Sequence, residues 1–355
     1  MRVSPLTRLG VVLGVMAIAL AVAAAASAVT GGYIVKPLVS DTGVSGTVKD
    51  PNLVNSWGLV AGPMTPWWVA DNGKNVATLY NTSGPTAAIV PLVVDVGDAP
   101  TGTVFNNTPG FKLANGMPAR FLFDNESGII TGWNGGPASQ TIVDMTKQGA
   151  VFKGLAIAAT SSGPRLFATD FVHAQVDVFD AAGNPVPQAF FQFRDFTIPR
   201  QFSPFGIQTI GSLVYVTYAE RQSGSDDEAH GPGLGYVDAY DANTGFLVSK
   251  IAVRGDLNAP WGIAQAPPAF GAAAGDILVG NFGDGTIHAY RPNGFFATPE
   301  GSLNTPGGTP IAIDGLWALE FGNGNAAGPT DSLFFTAGPN DENDGLFGSI
   351  RSAGP

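Results

Sequence analysis

The sequence contains no cysteine, only 3 histidines, and charged side chains at just 13% of its 355 residues. Without cysteine there is no disulfide, thiolate metal site, cysteine nucleophile or lipid-bearing thiol, so the fold is held by its core alone. Lys and Arg number 17 against 28 Asp and Glu, a net charge of −11. Clustered cations of the kind that phosphate backbones demand are absent, which excludes nucleic acid as a partner. Beyond residue 26 no apolar run reaches the roughly 18 residues of a membrane span. What is plentiful is Gly (48) and Pro (27), on a background that is 45% hydrophobic and 10% aromatic. There is ample apolar surface for a core. Charge is too scarce, and chain breakers too common, for coiled coils or helical bundles. The composition describes a large, turn-rich β protein.

The first residues read as a sorting signal. Arg2 and Arg8 form a basic start, residues 11–26 are apolar and uncharged, and Ala26-Ser27-Ala28 fits a small-residue cleavage site. A signal peptide over 1–28 is expected, with a single mature domain over 29–355 that is secreted or periplasmic. An uncleaved anchor is the alternative. Loss of the two arginines takes the net charge to −13.

The rest of the chain repeats a pattern: a Gly inside an apolar strand, a second apolar strand ending in a small or acidic residue, then a third. The glycines are Gly58, Gly102, Gly154, Gly206, Gly262 and Gly315, spaced by 44, 52, 52, 56 and 53 residues. Near-constant spacing with three or four short strands per unit predicts an all-β, six-bladed β-propeller, with seven blades the main alternative. The last unit runs out after a third strand ending at Ile350, while an unassigned strand over residues 33–39 precedes the first unit. The N-terminal strand is therefore expected to complete the last blade and close the ring, removing an exposed sheet edge. Glycine at the repeat position allows close backbone approach around a crowded channel. Trp57, Trp261 and Trp317 are expected to pack between neighbouring blades.

Residues 67–73, 175–180 and 276–285 resemble NHL-type propeller repeats. Across its mature length the chain is similar to an uncharacterised family of exported bacterial propellers. The likeness is carried by Asn55-Ser56-Trp57-Gly58-Leu59, Gly280-Asn281-Phe282-Gly283-Asp284-Gly285 and Phe335-Thr336-Ala337-Gly338-Pro339-Asn340-Asp341-Glu342. That resemblance implies a fold and export, but no reaction. Gluconolactonase-like and strictosidine-synthase-like propellers are similar in architecture alone.

In a propeller, the entries to the inner strands and the ends of the second strands share one face. The top-face candidates are Asn55, Glu126, Asp170, Asp284, Asn340, Asp341, Glu342 and His230. Asp71, Asp170 and Asn281 share one repeat position and are expected to cap their own turns. Lys153 and Asp314 stand where other repeats are uncharged; as channel-facing charges they either pair with each other or serve a ligand. With His173 they form the catalytic candidates. Residues 221–233 are a longer insertion containing Asp226-Asp227-Glu228-Ala229-His230, which is either a solvated loop or a flap over the mouth. Glu126, Asp314, Asn340 and Asp341 are candidate ligands for a hard cation such as Ca2+, although EF-hand spacing is absent. His173 and His230 are of the type that bind a transition metal. No nucleophile elbow, phosphate loop or His-Glu-x-x-His motif occurs. Two readings remain. One is an exported module binding a small molecule, glycan or protein on its acidic top face. The other is a divalent-cation-dependent hydrolase or lactonase at the same mouth.

Overall fold

The computed structural model describes residues 31–354, so the expected signal peptide and the mature start at Val29 lie outside the described residues. Short runs of apolar residues broken by glycine and proline yield strands almost throughout, and the helical elements among the described residues are three short 3-10 turns. The inner strands are Ser56–Val60, Pro100–Phe105, Phe152–Thr160, Phe202–Ile210, Pro260–Gln265 and Leu316–Phe321. Each pairs antiparallel with the strand that follows it in sequence. Inner strands lie side by side in chain order, and the last lies beside the first. The protein is an all-β propeller.

Closure follows the expected route. Tyr33–Ser40 runs antiparallel to Leu346–Ser352, with Tyr33 opposite Ser352 and Ser40 opposite Leu346. Tyr33, Leu38 and Val39 are buried by this docking. The sheet begun by Phe152–Thr160 has three strands only, whereas the two that follow are joined into one by a single bridge between Lys250 and Phe296.

Pairing registers correct the repeat frame. Every inner strand bulges against its neighbour: between Ser56 and Leu59, Pro100 and Thr103, Phe152 and Leu155, Pro204 and Ile207, Pro260 and Ile263, and Leu316 and Leu319. The second residue inside each bulge is Gly58, Gly102, Gly154, Gly206, Gly262 and, in the last repeat, Ala318. Gly315 is therefore not the recurring glycine. It adopts φ +63 at the strand entry, where Asn55, Ala99 and Ala259 adopt φ 45. Close approach explains the glycines: a Cβ on Gly58 would lie 2.5 Å from the Thr101 carbonyl of the next inner strand.

The first residue inside each bulge faces the axis. These are Trp57, Thr101, Lys153, Phe205, Trp261 and Trp317. Trp57 stacks on Trp317 with centroids 3.5 Å apart, and Trp261 meets the two edge-on at 6.0 and 5.7 Å. Phe205 closes the cluster edge-on to Trp57 and Trp317. Trp57 with Trp317 and Trp261 with Trp317 thus pack between neighbouring repeats, as expected, and with Phe205 the three rings also plug the channel.

Candidate functional site

The plug leaves one charged member of the axial ring, and everything at the mouth is arranged around it. The Lys153 side chain is 2% exposed, and its ammonium lies 2.5 Å from Glu126 Oε1 and 3.6 Å from Asp227 Oδ1. It also sits 5.4 Å from the Trp57 ring centre and 5.9 Å from that of Phe171, a cation–π environment. Burial pulls its pKa down, but the carboxylates of Glu126, Glu228 and Asp227 outweigh burial and hold it above the ordinary lysine range. A lysine fixed as ammonium has no lone pair to accept a proton or attack a carbonyl. Lys153 is suited to electrostatic anchoring.

Glu126 is itself held from the second side, accepting a bond from Asn72 Nδ2 at 3.2 Å. Asn55 links the network to the plug: its Oδ1 accepts the Trp317 indole N–H at 3.1 Å, and its Nδ2 donates to Glu342 Oε2 at 2.6 Å. Glu342 ends a run of three consecutive left-handed residues, Asn340, Asp341 and Glu342, at φ 59, 50 and 63. Each non-glycine residue in that region costs about 1–2 kcal/mol, and such strain is retained where a side chain must be aimed. Here the strain turns Glu342 into the mouth. Burial raises its pKa, and the charges of Glu228 and Glu126 add to the rise.

Residues 221–233 cover this arrangement. The insertion extends the hairpin of Leu213–Glu220 through a bridge between Arg221 and Glu228, and Gly231 N–H donates to Asn258 Oδ1 at 2.7 Å. Asp227 reaches Lys153, while His230 packs edge-on against Phe282 at 5.1 Å. Phe282 in turn stacks on Trp317 at 3.9 Å. The hydrogen bond to Glu228 raises the pKa of His230, against burial and with help from Glu342. The insertion is a roof, the flap alternative of the two sequence readings.

The remaining candidates lie apart from this network. Asp314 does not pair with Lys153; it accepts the Asn340 backbone N–H at 2.9 Å, because the left-handed run brings that amide against it. His173 bonds Asp170 Oδ2 at 2.6 Å, and Asp170 caps its own turn through the His173 N–H. Asp284 accepts from Asn258, Asn281 and Thr286, a turn role. Asn281 ties Asn258 to the same turn. Asp71 does not cap its own backbone, since its two oxygens accept from the Ser56 and Thr78 hydroxyls. Among the described residues no group of three or more His, Asp or Glu is gathered closely enough to hold a metal ion. Glu126 is engaged with Lys153 rather than grouped with Asp314, Asn340 and Asp341.

Asp124 escaped sequence reasoning because it hides one residue inside a strand end. Its Oδ1 accepts from Thr101 and from the Gly102 N–H, where Thr169 and Thr336 bond carbonyls of the adjoining inner strand with hydroxyls. Its Oδ2 is buried without a partner among the described residues. Burial, partly offset by those two bonds, raises its pKa from 3.8 to about 7. The folded state thus holds a proton that the unfolded chain releases, so Asp124 favours folding at low pH and loses that contribution as pH rises toward 7. Asp124→Asn keeps the Oδ1 acceptor and cannot ionise. Its urea midpoint is expected to change less than that of the parent between about pH 5 and pH 7.5. Parallel curves would rule out a protonated Asp124.

Fold and site together define a closed β-propeller with a roofed, acidic mouth over an axial lysine. No family model matches the chain. Uncharacterized protein R648 of Acanthamoeba polyphaga mimivirus is 32% identical over 332 residues, covering 88% of this chain and 78% of that protein. Uncharacterized protein L690 of the same virus is 30% identical over 332 residues, covering 88% and 84%. The chain belongs to the family of these mimivirus proteins. A glucose dehydrogenase crystal structure aligns over 91% of this chain and 100% of its own at 11% identity, with a TM-score of 0.52. That likeness concerns the propeller fold alone. The resemblance to bacterial propellers stands at the level of architecture, since both of these relatives are viral.

Proposed function

We propose that the protein is a six-bladed propeller, one blade per inner strand, that binds a small polar ligand at its roofed mouth. The observation that carries this is Lys153, a charge sealed into an otherwise uncharged and largely aromatic axis beneath the inserted roof. A buried ion pair contributes little to stability compared with apolar packing, so its retention here points to recognition. Glu126, Asp227, Glu228 and Glu342 outnumber Lys153 and His230, so the entering molecule is neutral or cationic, with hydroxyl or ammonium groups for the carboxylates. Phe282, packed beneath His230 and backed by Trp317, supplies an apolar face for a sugar ring or aliphatic body once the roof lifts. Entry requires the roof to lift and Asp227 to leave Lys153.

The test is thermal melting with a panel of monosaccharides, polyols and amino acids, using the chain beginning at Val29, the N-terminus expected of an exported protein. At least one compound is expected to stabilise the parent by about 3 kcal/mol at a hundredfold excess over Kd. That shift should vanish in Glu342→Gln. Shifts as large as the parent's in both Glu126→Gln and Glu342→Gln would remove the mouth from consideration. A shift with Ca2+ instead, lost in Asp314→Ala, would transfer the reading to a cation-dependent hydrolase using Glu126, Asp314, Asn340 and Asp341.

A further inference from the structure

Below the aromatic plug the channel opens on the opposite face into a hollow of about 440 Å3. Its walls combine apolar inner-strand residues, Leu59, Val104, Phe105, Ile157 and Phe321, with the polar side chains of Thr103, Asn107, Gln208, Thr209, Glu320 and Asn323. Three of the polar residues stand at repeat positions that are apolar in the other inner strands. Pairing registers put Thr103 where the other inner strands carry Leu59, Leu155, Ile207, Ile263 and Leu319. Gln208 and Glu320 stand one residue further, where the others carry Val60, Val104, Ala156 and Ala264. Gln208 Nε2 donates to Glu320 Oε2 at 2.8 Å. Their strands, Phe202–Ile210 and Leu316–Phe321, are separated in the ring by Pro260–Gln265, so this bond crosses the channel.

The polar capacity here is incompletely used. Thr103 is 7% exposed, and its Oγ1, like that of Thr209, is buried without a partner among the described residues. The bond from Gln208 engages one oxygen of Glu320 and leaves Oε1 without a hydrogen-bond partner among the described residues. Among the described residues neither Lys, Arg nor His lines the hollow or the narrow space that adjoins it under the plug, and Glu320 is their one charged side chain. A concave hollow in which polar groups converge beside apolar side chains has the makings of a small-molecule site. A lone carboxylate with acceptor hydroxyls beside it calls for a cation with several N–H donors.

We propose that this hollow is a second ligand site, separate from the mouth, that takes a small primary amine with a compact apolar body. The ammonium donates to Glu320 Oε1 and to the Thr103 and Thr209 hydroxyls, while the body lies against Leu59, Val104 and Ile157. The ligand supplies the counter-charge that the protein omits. Burial raises the Glu320 carboxyl to about 7, the behaviour of an acid with no cation beside it.

Benzylamine is the probe, titrated calorimetrically into the full chain near neutral pH. Saturable binding at one site is expected, with benzyl alcohol, the same body without the charge, at least about tenfold weaker. Glu320→Gln should weaken benzylamine by about tenfold or more, and Thr103→Val by several-fold, with melting temperatures confirming the fold. No binding to the parent overturns the proposal. So does an unchanged affinity in Glu320→Gln, or a loss in Glu342→Gln that Glu320→Gln does not share. If Glu320→Gln fails to fold, the comparison of benzylamine with benzyl alcohol on the parent, with and without Thr103→Val, decides the question.

Discussion

Trp317→Ala is expected to lower the unfolding free energy by about 3–5 kcal/mol, the range for truncating a fully buried tryptophan. Trp317 is 0% exposed and touches every other ring of the plug: stacked on Trp57 and Phe282, edge-on to Trp261 and Phe205. Truncation leaves a cavity on the axis, where all the inner strands converge and no single one can move in to fill it. It also strands Asn55 Oδ1, which loses its indole donor, so that the amide is no longer held with its Nδ2 toward Glu342. Two readouts follow. The urea midpoint should fall with little change in slope, and probe binding at the mouth should weaken because Glu342 is no longer held. Trp317→Phe keeps most of the stacking and should recover stability but not the Asn55 bond. A Trp317→Ala variant within about 1 kcal/mol of the parent would mean that the plug contributes little.

Deletion of residues 31–40 is expected to abolish the folded monomer. Tyr33–Ser40 is the outer partner of Leu346–Ser352, and it buries Tyr33, Leu38 and Val39. Tyr33 also donates its hydroxyl to the Phe270 carbonyl at 3.1 Å and accepts from the Ala273 N–H at 3.0 Å, tying the strand to a neighbouring blade. Each buried side chain contributes about 1.5–3 kcal/mol, and a whole domain has only about 5–15 to lose. Nothing covalent compensates, because the chain has no cysteine. The exposed edge of Leu346–Ser352 would then recruit other chains. Size-exclusion chromatography should show aggregate in place of monomer, and a synthetic peptide of residues 31–40 added during refolding should restore the monomer. A deletion variant that elutes as monomer with an unchanged melting temperature contradicts closure by this strand.

Much of the architecture was legible along the chain because the repeat is a local property. A bulge that brings inner strands together excludes side chains, so glycine marks it, and glycine is visible in a sequence. The same rule misled at Gly315, where a left-handed strand entry also selects glycine while Ala318 fills the bulge. Lys153 was conspicuous because a charge stood where its counterparts are apolar or uncharged. Its partner was not legible. Glu126 and Asp314 are both carboxylates at the mouth, and the left-handed run from Asn340 to Glu342, which gives Asp314 an amide to bind, is a backbone conformation that residue types alone do not specify. Asp124 was hidden by an apolar strand pattern, and its unpaired oxygen exists only in the packed state.

By itself, then, the sequence determined the class of fold, the repeat, closure by the N-terminal strand, the dependence on a core without disulfides and the singular position of Lys153. Each depends on periodicity or composition, which a linear chain carries. Tertiary structure alone decided who meets whom across the axis: tryptophans stacked into a plug, Lys153 with Glu126, Asp227 roofing them, and Gln208 joined to Glu320. Those contacts link residues from different repeats, and their distances are set by how the ring closes, a quantity that no single repeat contains.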